Sequence, residues 1–243
     1  MELNVIGYYG GSAPKNEATS SYLLEVGKEK ILLDCGAASS SVVQNYCNLT
    51  EINNIILSHY HWDHFSDIGV FIYNRYVKNL IGDVDQKLNI YSLDNEFFIK
   101  DFESFPSNNV IKIDEKSKIK INGVDIKFYK TKHPVDCLAI RCEHAGRSLV
   151  YTADASLDDG LIEFSKDADL LITECSLYKD VDGSSSGHMN INDVIDLINK
   201  SRAKKVILSH LPIYGDFNEN FLLAKNKTKA EILLAEKFLK VEI

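Results

Sequence analysis

The sequence predicts an α+β protein in which two β-sheets pack face to face with helices outside, a four-layer αββα arrangement. Two observations carry this reading. Apolar runs of strand length first follow one another and then alternate with helix-period segments, and they do so in each half of the chain. A strand-plus-histidine unit, ILSH, also occurs twice, at 56–59 and 207–210, as expected of two related β/α halves. The 243 residues suffice for one large domain, 1–243, with a substantial core.

The elements follow in order. Strands are expected at 3–8, 22–27, 30–35 and 54–59, then at 87–92, 137–142, 148–153, 168–175 and 205–210. KIKINGVDIKFYK (118–130) reads as a hairpin, because Asn122 and Gly123 tolerate the positive φ angles of a type I′ turn. Helical periodicity places helices at 40–46, 67–79, 158–166, 191–200 and 217–226. The final EILLAEKFLKVEI reads as strand rather than helix, with a turn at Glu236-Lys237.

Composition narrows the function. Apolar residues make up 45% and charged residues 26%, the balance of a globular chain and not of a disordered one. No apolar run approaches the roughly 18 residues of a membrane span, and MELNVIGYYGG lacks the basic start of a signal peptide. Five cysteines with no CxxC pair read as reduced, buried thiols, so a cytoplasmic location is expected. The net charge of −8 argues against a large nucleic acid as substrate, since phosphate contacts call for a basic surface.

The seven histidines are not scattered. His59, His61, Asp63 and His64 fall within six positions of IILSHYHWDHFSD (55–67). In a loop leaving a strand, residues two apart point the same way, so His59 and His61 suit one cation, and Asp63 and His64 face a second position. Imidazole and carboxylate together suit Zn²⁺, with Mn²⁺ or Fe²⁺ as alternatives.

This stretch resembles the HxHxDH motif of the metallo-β-lactamase-fold hydrolases, and the resemblance extends along nearly the whole chain. It implies further ligands at His133 in YKTKHP, Asp154 in LVYTADAS and His210 in VILSHLP. It further implies two metal ions: His59, His61 and His133 on one, Asp63, His64 and His210 on the other, and Asp154 bridging. LLDCG (32–36) supplies Asp34, which in the family buttresses the metal loop.

His188 lies in DGSSSGHMNIND, ahead of a helix that Asn190 or Asn192 would cap. A histidine beside a helix N-terminus suits an anionic group. The arrangement resembles the ribonuclease Z and phosphodiesterase branch, where such a histidine protonates the leaving oxygen. The opening IGYYGGSAPKNEATSSYLLE resembles that branch too, except that Glu17 and Ala18 stand near where it carries an arginine. No long Gly/Pro- and Lys-rich insertion between His133 and His210 offers an arm for tRNA.

The expectation is a phosphodiesterase with two Zn²⁺ that cleaves a small or cyclic phosphodiester through a metal-bridging hydroxide, with His188 and Asp63 catalytic. A tRNA 3′-processing endonuclease and a lactone or carboxylic-ester hydrolase are the alternatives. The resemblance also suggests a homodimer, and the lack of a long apolar run argues against a membrane partner. Tyr60 and Trp62 are expected to pack around the metal loop, Cys175 to be a buried thiol, and His144, Lys15 and KNKTK (225–229) to be surface features.

Overall fold

The computed structural model describes residues 1–243, which form two compact units: Met1–Asp114 with Lys237–Glu242, and Glu115–Glu236 with Ile243. Each is built on one seven-stranded mixed sheet.

In the first unit the sheet contains β1 (Glu2–Gly7), β2 (Ser21–Val26), β3 (Glu29–Leu33), β4 (Asn54–Ile56), β5 (Leu88–Ser92), β6 (Asn108–Lys112) and the C-terminal β14 (Lys240–Glu242). Their order is β14-β1-β2-β3-β4-β5-β6. The β14-β1-β2-β3 portion is antiparallel, and β3 to β6 pair in parallel. Parallel neighbours need crossovers, which contain α1 (Ser39–Val42), α2 (Trp62–Phe65), α3 (Ile68–Leu80) and α4 (Glu96–Glu103). Leu23, Leu32, Ile55 and Ile90 on the strands pack with Phe65, Phe71, Ile72 and Phe102 on those helices.

The second unit repeats the plan. Its strands are β7 (Lys118–Ile121), β8 (Val124–Lys130), β9 (Leu138–His144), β10 (Arg147–Tyr151), β11 (Leu170–Glu174), β12 (Lys205–Ser209) and β13 (Glu231–Leu234). The first four form an antiparallel meander and β10 to β13 run parallel. The crossovers contain α5 (Asp159–Phe164), α6 (Ile191–Ser201) and α7 (Asn218–Lys227). Val150, Leu171, Val206 and Leu208 pack with Leu161, Val194, Leu197 and Ala224. No helix is long and apolar enough to cross a membrane.

Most expected elements are present within one to three residues, and the Asn122-Gly123 turn has φ of 43° and 88° as its type requires. Three elements were not anticipated: α2, α4 and β6. The apolar residues of α4 arrive as the consecutive Phe97, Phe98 and Ile99, which hides a helical period, although Asn95 caps it by accepting from the Phe98 amide. β6 opens on two asparagines, poor strand formers, and is held by parallel pairing with β5. The C-terminal stretch is two strands, as its composition implied. They belong to different sheets, and the turn sits at Lys237-Phe238, one residue later than expected.

One buried group anchors the segment that leads to the histidine loop. Arg75 on α3 is 1% exposed. Its guanidinium donates to the carbonyls of Thr50, Ile52 and Gln86 and to Asn53 Oδ1, at 2.8–3.1 Å. A charge can be buried only when its donors are satisfied, and these acceptors tie the approach to β4 onto α3.

Candidate metal centre

In the first unit, His59 lies just beyond β4, and His61, Asp63 and His64 follow through the one-turn helix α2. The ring centroids of His59 and His61 are 4.8 Å apart, and those of His59 and His64 are 4.2 Å apart. Behind them sits Asp34, fully buried at the end of β3 with φ of 56°. Its Oδ1 accepts from the Ser58 amide, and its Oδ2 accepts from the Ser58 hydroxyl and from His64 Nδ1, all at 2.7–2.8 Å. With its proton committed to Asp34, Ser58 Oγ can only accept from His59 Nδ1, 3.0 Å away. One carboxylate thus fixes two imidazoles, the second through a serine.

Close approach of the two strand-end loops depends on Gly36. A Cβ there would lie 2.1 Å from the Asp63 carbonyl oxygen and 2.2 Å from Thr19 Oγ1. The glycine of LLDCG is therefore a matter of space. On the opposite side of Asp63, the Gly11 amide donates to Oδ2 at 2.7 Å, which gives the glycine-rich opening a role in orienting that carboxylate.

The second unit assembles His133, Asp154, His188 and His210. Asp154 is buried beyond β10, and its neighbour Ala153 has φ of 51°. His210 caps β12 with φ of 53°. Such left-handed backbone at non-glycine residues costs energy and clusters at functional sites. Asp154 Oδ2 lies 3.8 Å from His133 Nε2, and Oδ1 lies 3.2 Å from His210 Nε2. Ligand atoms of Asp154, His188 and His210 lie within 4.8 Å of one another.

Tautomers follow from the partners of the other ring nitrogens. His133 Nδ1 donates to the Gly187 carbonyl at 3.0 Å, and His188 Nδ1 donates to Glu174 Oε1 at 3.0 Å. The Ser176 hydroxyl donates to Glu174 Oε2 at 2.5 Å, so its oxygen accepts from His210 Nδ1 at 2.7 Å. Each of these rings, like those of His59 and His64, carries its proton on Nδ1 and turns a lone pair outward at Nε2.

A metal ion fits this donor set. Lone pairs on His133 and His210 face opposite oxygens of one buried carboxylate, and His64 Nε2 faces Asp63 Oδ2 at 3.6 Å. Electron-rich atoms directed at each other in a desolvated site repel unless a cation lies between them. Imidazole and carboxylate are also the ligands that transition-metal dications prefer.

Glu174 was not singled out in the sequence. It is 1% exposed at the end of β11. It accepts from the Ala155 amide, His188 and Ser176. The available signal was an acidic residue closing an otherwise apolar strand, ADLLITEC. Of the other expectations, His144 is half-buried at the end of β9, where its Nδ1 donates to the Gly123 carbonyl, and Cys175 is a buried thiol pushed well above its ordinary pKa by burial. Tyr60 packs against Phe65 and Phe98, while Trp62 stacks on Phe65 at 4.9 Å with 68% of its surface exposed.

Comparison with known proteins shows the family and the fold. The family described as anti-Pycsar protein Apyc1 matches residues 1–237. A probable metallo-hydrolase of Bacillus subtilis, YhfI, is 37% identical over 239 residues, covering 97% of each chain. Its crystal structure, described as a metallo-β-lactamase-fold protein, aligns over 99% of this chain and 98% of that one, with a TM-score of 0.93. Ribonuclease Z of Archaeoglobus fulgidus is 21% identical over 294 residues, covering 96% of this chain and 95% of that protein. A diphosphatase of the PhnP family shares the fold at 16% identity, with a TM-score of 0.78 over 99% of this chain and 96% of that one. The chain belongs to the anti-Pycsar protein Apyc1 family, among the metallo-hydrolases of the metallo-β-lactamase fold.

Proposed function

We propose that the protein is a dinuclear metal phosphodiesterase acting on a small or cyclic phosphodiester, such as a cyclic nucleotide. In this reading, which follows the family resemblance, His59, His61, Asp63, His64, His133, Asp154 and His210 would hold the ions. Zn²⁺ is the expected metal, given the imidazole-rich set. When bound, two such ions polarise the phosphoryl oxygen and bring the pKa of water toward neutrality.

The observation that carries the phosphodiester assignment is the pairing of His188 with Glu174. The carboxylate takes the Nδ1 proton at 3.0 Å and thereby aims Nε2 beside Asp154 and His210. A second proton on Nε2 makes the ring a donor to a departing alkoxide, and the adjacent carboxylate balances its charge. Phosphodiesters of nucleosides leave as poor alkoxide groups, so this donor matters, and general acid catalysis typically contributes 10²–10⁴-fold. Asp63, held by the Gly11 amide, orients the attacking water.

Two further features favour a small substrate. An open cavity of about 580 Å³ adjoins His133, lined by Lys132, Pro134, Ser156, Ser184 and Gly187. It suits a nucleotide-sized group with one cation and several hydroxyls. The net charge of −8 opposes a long polyanion.

Elemental analysis of protein purified without chelator, combined with turnover of bis(p-nitrophenyl) phosphate, tests the proposal. Two transition-metal equivalents and metal-dependent turnover are expected. Well under one equivalent after supplementation would overturn it, as would hydrolysis confined to lactones.

A further inference from the structure

The two units solve one problem in the same way. In the first, Asp34 binds His64 directly and reaches His59 through the Ser58 hydroxyl. In the second, Glu174 binds His188 directly and reaches His210 through the Ser176 hydroxyl. Each carboxylate sits at the end of a core strand, β3 or β11, and is buried. The serines occupy unrelated places: Ser58 precedes its histidine in the chain, whereas Ser176 is 34 residues from His210. The arrangement is thus a shared physical solution and not a repeat of the ILSH unit, whose second serine is Ser209.

We infer that Ser176 is a positioning residue: its hydroxyl holds His210 in the metal-binding tautomer and ties it to the carboxylate that orients His188. The inference rests on the reading of His210 as a metal ligand. A hydroxyl has one proton, and Ser176 commits it to Glu174 Oε2 at 2.5 Å. The oxygen that faces His210 Nδ1 at 2.7 Å can then only accept. Nδ1 must carry the proton, and Nε2 is left with the lone pair that faces Asp154 Oδ1. Without the hydroxyl the imidazole could rotate or exchange tautomer, and a protonated Nε2 cannot bind a cation.

Glu174 gives this serine a wider reach. The same carboxylate accepts from the Ala155 amide at 2.8 Å, next to Asp154, as well as from His188. The hydroxyl also neutralises part of the demand of a buried carboxylate for donors. Ser176 does not act as a nucleophile here, because the imidazole beside it holds a proton toward it and cannot take one from it.

Valine and threonine at position 176 have nearly the same shape and differ by the hydroxyl, so they separate packing from positioning. Zn²⁺ affinity of the apo protein is measured by chelator competition for Ser176→Thr, Ser176→Val and Ser176→Ala, with Tm and the Co²⁺ absorption spectrum alongside. Removing a partner of a ligand histidine typically costs 10–100-fold in affinity. We expect a loss of that size for one of two Zn²⁺ equivalents in the valine and alanine variants, an altered Co²⁺ spectrum, and recovery to within a few-fold in Ser176→Thr.

Wild-type affinity in Ser176→Val overturns the inference, as does equal loss of both ions or a threonine variant no better than valine. If neither valine nor alanine variant folds while threonine does, the hydroxyl is needed for folding and the positioning role is likewise rejected. Failure of the wild-type protein to bind two ions strikes the reading of the ligands instead. Because the readout is metal binding, it does not depend on which substrate is cleaved.

Discussion

His188 Nδ1 lies 3.0 Å from Glu174 Oε1 and 3.2 Å from Oε2, so both oxygens of one buried carboxylate hold a single half-buried imidazole. That pairing leaves Nε2 as the only nitrogen of the ring able to meet a substrate. Of the other candidate rings, His64 is likewise held by a carboxylate, Asp34, whereas His133 is held by a carbonyl and His59 and His210 by hydroxyls.

If His188 is the proton donor, His188→Ala keeps both metals and the fold but loses roughly 10²-fold or more in kcat on an alkyl diester such as a cyclic nucleotide. The loss is smaller on p-nitrophenyl esters, whose leaving group needs little protonation. Glu174→Gln follows the same order with a smaller effect. Equal losses on both substrates would make His188 a phosphate contact, and loss of one metal equivalent would make it a ligand.

Gly36→Ala places a methyl group 2.1 Å from the Asp63 carbonyl oxygen. The backbone of the histidine loop must then shift, because the obstructing atom is not a flexible side chain. Metal affinity and activity are expected to fall at least tenfold together, with near-native circular dichroism. Wild-type metal affinity in this variant would show that the close approach is dispensable.

Arg75→Met removes four hydrogen bonds and leaves the carbonyls of the half-buried Thr50 and the buried Ile52 without that donor. Leaving such groups unsatisfied costs about 1–3 kcal/mol each, so a fall of about 3 kcal/mol in unfolding free energy is expected from urea titration. A change below about 0.5 kcal/mol would mean that the guanidinium is replaced by water without loss.

Part of the candidate site was legible as a local pattern, since His59, His61, Asp63 and His64 fall within six positions. His133, Asp154, His210 and the buttressing Asp34 were reached through the family resemblance, because each is a lone residue at the end of a strand or beyond it. Glu174 and Ser176 were not, since their role arises from contacts 14 and 34 residues away, made by folding and not by any local pattern. The fold was legible where periodicity was clean, as in α6, whose capping box at Asn190 and Asp193 is present. It was lost where apolar residues run together, as in α4, or where pairing overrides propensity, as in β6.

Whether two metal ions and His188 serve a small phosphodiester is decided by kcat/KM of the Zn²⁺- or Mn²⁺-reconstituted protein on a set of cyclic nucleotides, measured beside a precursor tRNA at physiological salt. Clear turnover of at least one cyclic nucleotide and poor cleavage of the tRNA are expected. A kcat/KM for tRNA far above that of every small diester, falling steeply with added salt as phosphate contacts demand, would contradict the small-substrate reading.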